Sequence, residues 1–140
     1  MTITAEDHIA IQRLMFRYAR CADCRDYDRF AEVFTVDASF DFSGRLVQGL
    51  PAIQEMMLAL EKYSVTQHRV SNVLYAVNGD LAEGETYCLA SHLLPEGEAT
   101  IKLDMGITYR DRLRRKDGDW RIAHRQFQLH WSQRSVVEPG

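Results

Sequence analysis

The 140-residue chain is 46% hydrophobic and 26% charged, the balance of an ordinary soluble globular protein with one sizeable core. Its formal net charge of −3 offers no electrostatic footprint for nucleic acid or an anionic membrane surface. No apolar run approaches the roughly 20 residues of a membrane helix, and three cysteines set up no disulfide framework.

The opening segment, MTITAEDHIAIQRL, lacks the basic n-region and unbroken apolar stretch of a signal peptide, so the cytoplasm is the expected compartment. Between Glu6 and Ala22, the side chains of Ile11, Leu14, Met15, Tyr18 and Ala22 recur at a helical period. Near the end of that helix stands Cys21-Ala22-Asp23-Cys24, a C-x-x-C spacing. A structural zinc site wants a second such pair, which is missing here. A thioredoxin-type pair opens a helix instead of closing one, because the dipole there lowers the thiol pKa. The two thiols read as incidental, and no metal site is expected.

A second helix is expected at about Asp26 to Phe34, with Phe30, Val33 and Phe34 facing inward. Ala38–Phe42 and Leu46–Gln48 then flank Ser43-Gly44-Arg45 as a short hairpin. Pro51 suits the first turn of a third helix, which runs to about Tyr63 through Ile53, Met56, Met57 and Leu60. The second half changes period: Thr66–Val77, Leu81–Leu94, Ala99–Leu113 and Asp119–Trp131 read as four long strands separated by Gly-containing turn signals. The basic run from Arg110 to Lys116 falls at a strand end and reads as a solvated face. The layout predicts one α+β domain over residues 1–140. Three helices pack into a strongly curved mixed or antiparallel sheet, and together they form a cone with a mouth.

Strand alternation predicts what points into the cone. On the last strand the odd positions Arg121, Ala123, Arg125, Phe127, Leu129 and Trp131 form the buried face. Arg125 then needs an anionic partner, supplied by the protein or by a ligand. On the first long strand His68, Val70, Asn72, Leu74 and Ala76 face inward; on the next, Ala82, Gly84, Thr86, Cys88, Ala90 and His92 do so. Ile101, Leu103, Met105, Ile107 and Tyr109 form an apolar wall on the third. A three-residue loop at 78–80 places Ala90 opposite His68, whereas a two-residue loop places Leu89 there. The first register keeps Glu83 and Glu85 outside and is preferred. The result is an apolar lining with Tyr18, Asp23, His68, His92 and Arg125 as polar exceptions, the recipe for a small-molecule site. Asn72, Met105, Phe127 and His92 are the expected substrate contacts. Val73, Tyr75, Tyr87 and Leu89 alternate with polar residues on the opposite face, which predicts self-association through the sheet.

Order and spacing of these elements resemble the SnoaL-like branch of the nuclear-transport-factor-2-like, or cystatin-like cone, superfamily. The resemblance rests on Arg17-Tyr18 followed by Asp23, Val33-Phe34 then Asp37-Ala38, Gly49, and Gln67-His68. It continues through Asn78-Gly79-Asp80-Leu81-Ala82 and Asp117-Gly118-Asp119-Trp120-Arg121-Ile122. Within that branch the chain looks most like the scytalone dehydratase, hexachlorocyclohexane dehydrochlorinase and bile acid 7α-dehydratase group. That likeness implies a cofactor-independent lyase acting on a small hydrophobic, cyclic or polycyclic substrate. It implies an Asp23–His68 dyad with His68 as base, Tyr18 as hydrogen-bond donor and Arg125 as clamp for an oxyanion or carboxylate, with His92 as a second histidine. It also implies a homo-oligomer, trimer or dimer. The group's longer members carry C-terminal segments over the pocket, and Ser132 to Gly140 would form only a partial lid.

Other members of the superfamily give competing readings. A ketosteroid-isomerase-like enzyme would place its base at Phe42, which cannot take a proton. A limonene-epoxide-hydrolase-like site would require a second buried acid beside Arg125, and the alternation identifies none. A non-catalytic small-molecule-binding module and the small subunit of a ring-hydroxylating dioxygenase are the alternatives outside the lyases.

Overall fold

Thr4 opens the first helix: its hydroxyl accepts a hydrogen bond from the Asp7 N–H at 3.0 Å, and Glu6 and Asp7 sit in the first turn where the helix dipole favours acids. The computed structural model describes residues 3–140. Met1 and Thr2, which begin the segment compared above with a signal peptide, lie outside them. The elements are α1 (Ala5–Asp23), β1 (Phe34–Phe42), β2 (Arg45–Gln48), α2 (Leu50–Met57), β3 (Val65–Asn78), β4 (Leu81–Glu96), β5 (Ala99–Lys116) and β6 (Asp119–Val137). Short 3-10 turns occupy Asp28–Glu32 and Leu58–Lys62. The expected second helix is thus a single tight turn. It suffices to bury Phe30 and Val33, and the Ile122 N–H already bonds the Val33 carbonyl at 2.7 Å, which draws Phe34 into the sheet.

The six strands form one mixed sheet in the order β2-β1-β6-β5-β4-β3. Among the described residues only the β1–β6 pair is parallel. The class is the α+β cone expected, with two α-helices instead of three. The buried stripe of α1 (Ile11, Leu14, Met15, Tyr18 and Ala22) lies on the inner face of the sheet. At the turn end of the sheet, Arg115 reaches Asp7 at 2.7 Å and Asp80 at 3.1 Å, while its guanidinium lies 4.7 Å over the Trp120 ring. The basic run is therefore partly built into the fold. Among the described residues no helix is long and apolar enough to cross a membrane.

Bulges decide which side chains face inward. The β3–β4 loop is Gly79-Asp80, because Asn78 pairs with Leu81; by itself that register would set Ser91 opposite His68. An irregularity between Val70 and Val73 adds one residue and restores the His68–Ala90 pair. The pairing expected from a three-residue loop is reached by another route. Beyond the bulge the faces exchange: Val73 and Tyr75 are buried, while Asn72 and Leu74 are exposed on the outside. Asn72 is therefore removed from the set of inward residues, and Tyr75 and Val73 from the outer surface.

Strand β6 behaves in the same way. Trp120 and Ile122 are buried, a shift in register intervenes, and Arg125 and Phe127 are buried after it. Arg121 and Ala123 do not belong to that core face. A second shift near His130 turns Trp131 onto the outer face, where its indole lies directly over Gly106. Leu129 and Trp131 are each more than two-fifths exposed, not buried as alternation implied. Residues Ser132–Val137 continue β6 against β5 and do not fold over the mouth as a lid.

Arg125 finds its anion within the protein. Its Nε and Nη2 donate to Asp111 Oδ1 and Oδ2 at 2.8 and 2.7 Å, and both side chains are essentially sealed from solvent. The Tyr75 hydroxyl donates to Asp111 Oδ2 at 2.6 Å, and the guanidinium packs over the rings of Tyr18 (4.3 Å) and Tyr109 (4.0 Å). Removing one partner leaves a buried charge unpaired, which costs about 3–5 kcal/mol. Asp111→Ala is expected to lose stability on that scale in urea denaturation. A loss within about 0.5 kcal/mol, the range of an ordinary surface substitution, would mean that the pair is not integral to the core.

Candidate active site

Asp23 is the last residue of α1, the end where the helix dipole disfavours an anion. Hydrogen bonds offset that position. Asp23 Oδ2 accepts the backbone N–H of His68 at 2.9 Å, and Oδ1 accepts the Thr66 hydroxyl at 3.0 Å and the His68 ring Nδ1 at 2.6 Å. Burial pushes the Asp23 carboxyl up, but the side-chain and backbone hydrogen bonds from His68 outweigh it and hold the carboxyl below its usual range. A carboxylate accepts only, so Nδ1 of His68 carries the proton in this contact and Nε2 is left as the basic nitrogen.

Strand pairing places the second histidine beside the first. His92 on β4 lies edge-on to His68 with ring centroids 5.7 Å apart, and the Tyr63 ring covers it at 4.8 Å. Its Nδ1 meets the Leu103 carbonyl at 3.2 Å, which fixes the proton on Nδ1 and leaves Nε2 as an acceptor. Burial lowers the pKa of His92 and favours the neutral ring. Tyr18 sits edge-on to His68 at 6.4 Å and to Tyr109 at 5.4 Å. Burial raises the Tyr18 hydroxyl despite the opposing Arg125 charge, so it is suited to donating a hydrogen bond and not to ionising.

These groups border a cavity of about 760 Å³, within the usual range for small-molecule sites. Tyr18, His68, His92 and Tyr109 contribute polar functions, as do Arg45, Gln48, Glu55 and Lys62, and Phe40, Phe42, Met105, Ile107 and Phe127 supply apolar walls. Hairpin residues Leu46–Gln48, α2 and the 3-10 turn complete the enclosure. Phe42 stacks on Phe127 at 4.5 Å and offers no proton acceptor.

The expected site residues therefore divide. Asp23, His68, Tyr18 and His92 converge, and Met105 and Phe127 line the same space. Asn72 is on the outer side of the sheet. Arg125 lies behind the Tyr18 and Tyr109 rings, closed to the cavity and already paired with Asp111. Asp111 is the internal acid that alternation left unidentified. It continues the inward series Ile107, Tyr109, Asp111, Leu113 but is flanked by Arg110 and Arg112, whose charge marks a solvated strand end. Thr66 and Tyr63 were also missed, as their types carry no chemical signature in sequence, whereas Tyr109 was expected on the inner wall and lines the cavity. The C-x-x-C pair separates: Cys21 is buried, with its thiol pushed up by desolvation, and Cys24 is exposed.

A family model of sequence identifies the family, and solved structures share the fold. The model of the SnoaL-like domain matches residues 4–126. The uncharacterized protein Rv2910c of Mycobacterium tuberculosis is 30% identical over 122 residues, 85% of this chain and 82% of that protein. A solved structure of Rv3472 from Mycobacterium tuberculosis, described as of unknown function, is 32% identical and covers 86% of this chain and 70% of that one, with a TM-score of 0.76. A hexachlorocyclohexane dehydrochlorinase, LinA-type3 from Novosphingobium barchaimii, shares the fold at 20% identity, with a TM-score of 0.81 over 96% of each chain. With the family model matched over residues 4–126, this chain belongs to the SnoaL-like domain family.

Proposed function

We propose that this chain is a cofactor-independent lyase, a dehydratase or dehydrohalogenase, acting on a small cyclic or polycyclic hydrophobic substrate. The observation that carries the reading is a histidine whose Nδ1 is committed to a carboxylate 2.6 Å away and whose ring borders an apolar cavity. In this reading His68 Nε2 takes a proton from a substrate carbon, and Asp23 stabilises the imidazolium that forms. The C–H electron pair becomes the new double bond as the adjacent C–O or C–halogen bond breaks. A departing hydroxyl takes a proton back from His68 and leaves as water, whereas a halide leaves as the anion. Tyr18 donates a hydrogen bond to the substrate oxygen or leaving group, and His92 accepts from a substrate hydroxyl. Arg125 acts at one remove, by holding Tyr18 against its cationic face.

The fold shared with a dehydrochlorinase is consistent with this chemistry. The open cavity favours it over the small subunit of a ring-hydroxylating dioxygenase, and the phenyl ring of Phe42 disfavours an isomerase with a base at that position. The test is a screen of cyclic hydroxy-ketones, halogenated alicyclics and steroid-like enones with product detection. Wild type is expected to turn over at least one class, and His68→Ala to lose roughly 10²–10⁴-fold in kcat/KM, with Asp23→Asn also impaired. Ligand binding retained in both proteins with no product from either would assign a carrier instead.

A further inference from the structure

The turn that follows α1 contains a residue in a conformation its type rarely adopts. Arg25 has φ of 57°, in the left-handed region that favours glycine. Around it the helix ends in a Schellman arrangement, with Asp26 N–H bonded to the Cys21 carbonyl at 2.9 Å and Arg25 N–H to the Ala22 carbonyl at 3.3 Å. Glycine would satisfy that backbone without strain. What arginine adds is its side chain.

The half-buried guanidinium makes three directed contacts. Nη1 donates to the Ala22 carbonyl at 2.7 Å and to Thr66 Oγ1 at 2.8 Å, and Nη2 donates to the Tyr63 carbonyl at 3.2 Å. A guanidinium cannot accept a hydrogen bond, so the Thr66 hydroxyl is the acceptor in this pair. Its single proton is then free for Asp23 Oδ1, 3.0 Å away. The polarity of the whole chain follows: Arg25 to Thr66, Thr66 to Asp23, and His68 Nδ1–H to the same carboxylate oxygen. Thr66 is 3% exposed, so water does not substitute readily for either partner.

We infer that Arg25 and Thr66 are positioning residues, which together hold Asp23 as the acceptor of the His68 Nδ1 proton and so present His68 Nε2 to the cavity. The inference rests on the dyad described under the proposed function but concerns residues that touch no substrate. The same guanidinium anchors the chain at Tyr63, whose ring covers His92, so one side chain braces both histidines. The titratable and charged neighbours of the Asp23 carboxylate are His68 from β3, His92 and Cys88 from β4, and the Arg25 guanidinium itself. Thr66→Val leaves all four in place and tests the hydrogen bond alone, whereas Arg25→Gly also removes a charge.

Nitrogen-15 NMR of His68 and carbon-13 NMR of the Asp23 carboxyl test the inference without a substrate. Wild type and Thr66→Ser are expected to show His68 as the Nδ1–H tautomer. Thr66→Val and Arg25→Gly are expected to show mixed tautomers and an Asp23 titration moved to higher pH. The glycine variant suits the left-handed backbone and is expected to fold. With any substrate that turns over, these two variants should lose roughly tenfold or more in kcat with little change in KM, the scale of one hydrogen bond to a charged group. Wild-type tautomer and titration in both Thr66→Val and Arg25→Gly would overturn the inference. The spectra judge the positioning even where no substrate is found, whereas a correct tautomer without turnover counts only against the lyase reading.

Discussion

A charged pair with almost no access to water holds the cone together. Desolvating a guanidinium and a carboxylate costs several kcal/mol per ion, and mutual attraction offsets this only with near-complete hydrogen bonding. Here Arg125 and Asp111 meet through two parallel hydrogen bonds and Tyr75 adds a third to the carboxylate, while the buried Arg125 Nη1 has no hydrogen-bond partner and two aromatic faces receive the cation. The participants come from β5, β6, β3 and α1, so the pair fixes how the helix sits on the curved sheet. Tyr18 and Tyr109 are placed by the same contact, and they border the cavity. The site thus inherits its geometry from a core interaction that never touches the cavity.

The dyad shows the complementary compromise. A carboxylate at the C-terminal end of a helix is poorly placed by the dipole, and an arginine with positive φ follows two residues later. Neither choice favours stability locally. Both become intelligible once the hydrogen bonds are followed from Arg25 through Thr66 to Asp23 and His68. Local departures from helix-ending preferences are concentrated where the cavity meets the first helix, as expected of a site built against the needs of the fold.

Much of this was legible in the residues themselves. Periodicity placed α1, α2 and the four long strands, and the order of short motifs indicated the SnoaL-like cone. Tyr18, Asp23, His68 and His92 stood out as polar residues on otherwise apolar faces, and the resemblance to the family joined Asp23 and His68 as a dyad. The failures have a common cause. Strict alternation carries through a strand only until a bulge, and bulges near Val70 and Val73, Arg112 and Leu113, and Gly106 and Ile107 exchange the faces of β3 and β6. Asn72 and Trp131 were misplaced for that reason and Tyr75 was put on the wrong side, whereas Leu129 keeps the register of Phe127 and is simply exposed. The partner of Arg125 was hidden differently, since Asp111 lies in a run whose charge resembles a solvated edge. Arg25 and Thr66 are informative only through distances, which no single-sequence pattern supplies.

The central claim is that His68, oriented by Asp23, removes a proton from carbon. The most direct measurement separates that step from any leaving group. A cyclic ketone that binds the protein but lacks a leaving group is incubated in D₂O, and proton loss beside the carbonyl is followed by NMR. Deuterium entry above the uncatalysed rate is expected with wild type and none above it with His68→Ala. Equal exchange with both proteins, or none with either despite binding, would contradict it.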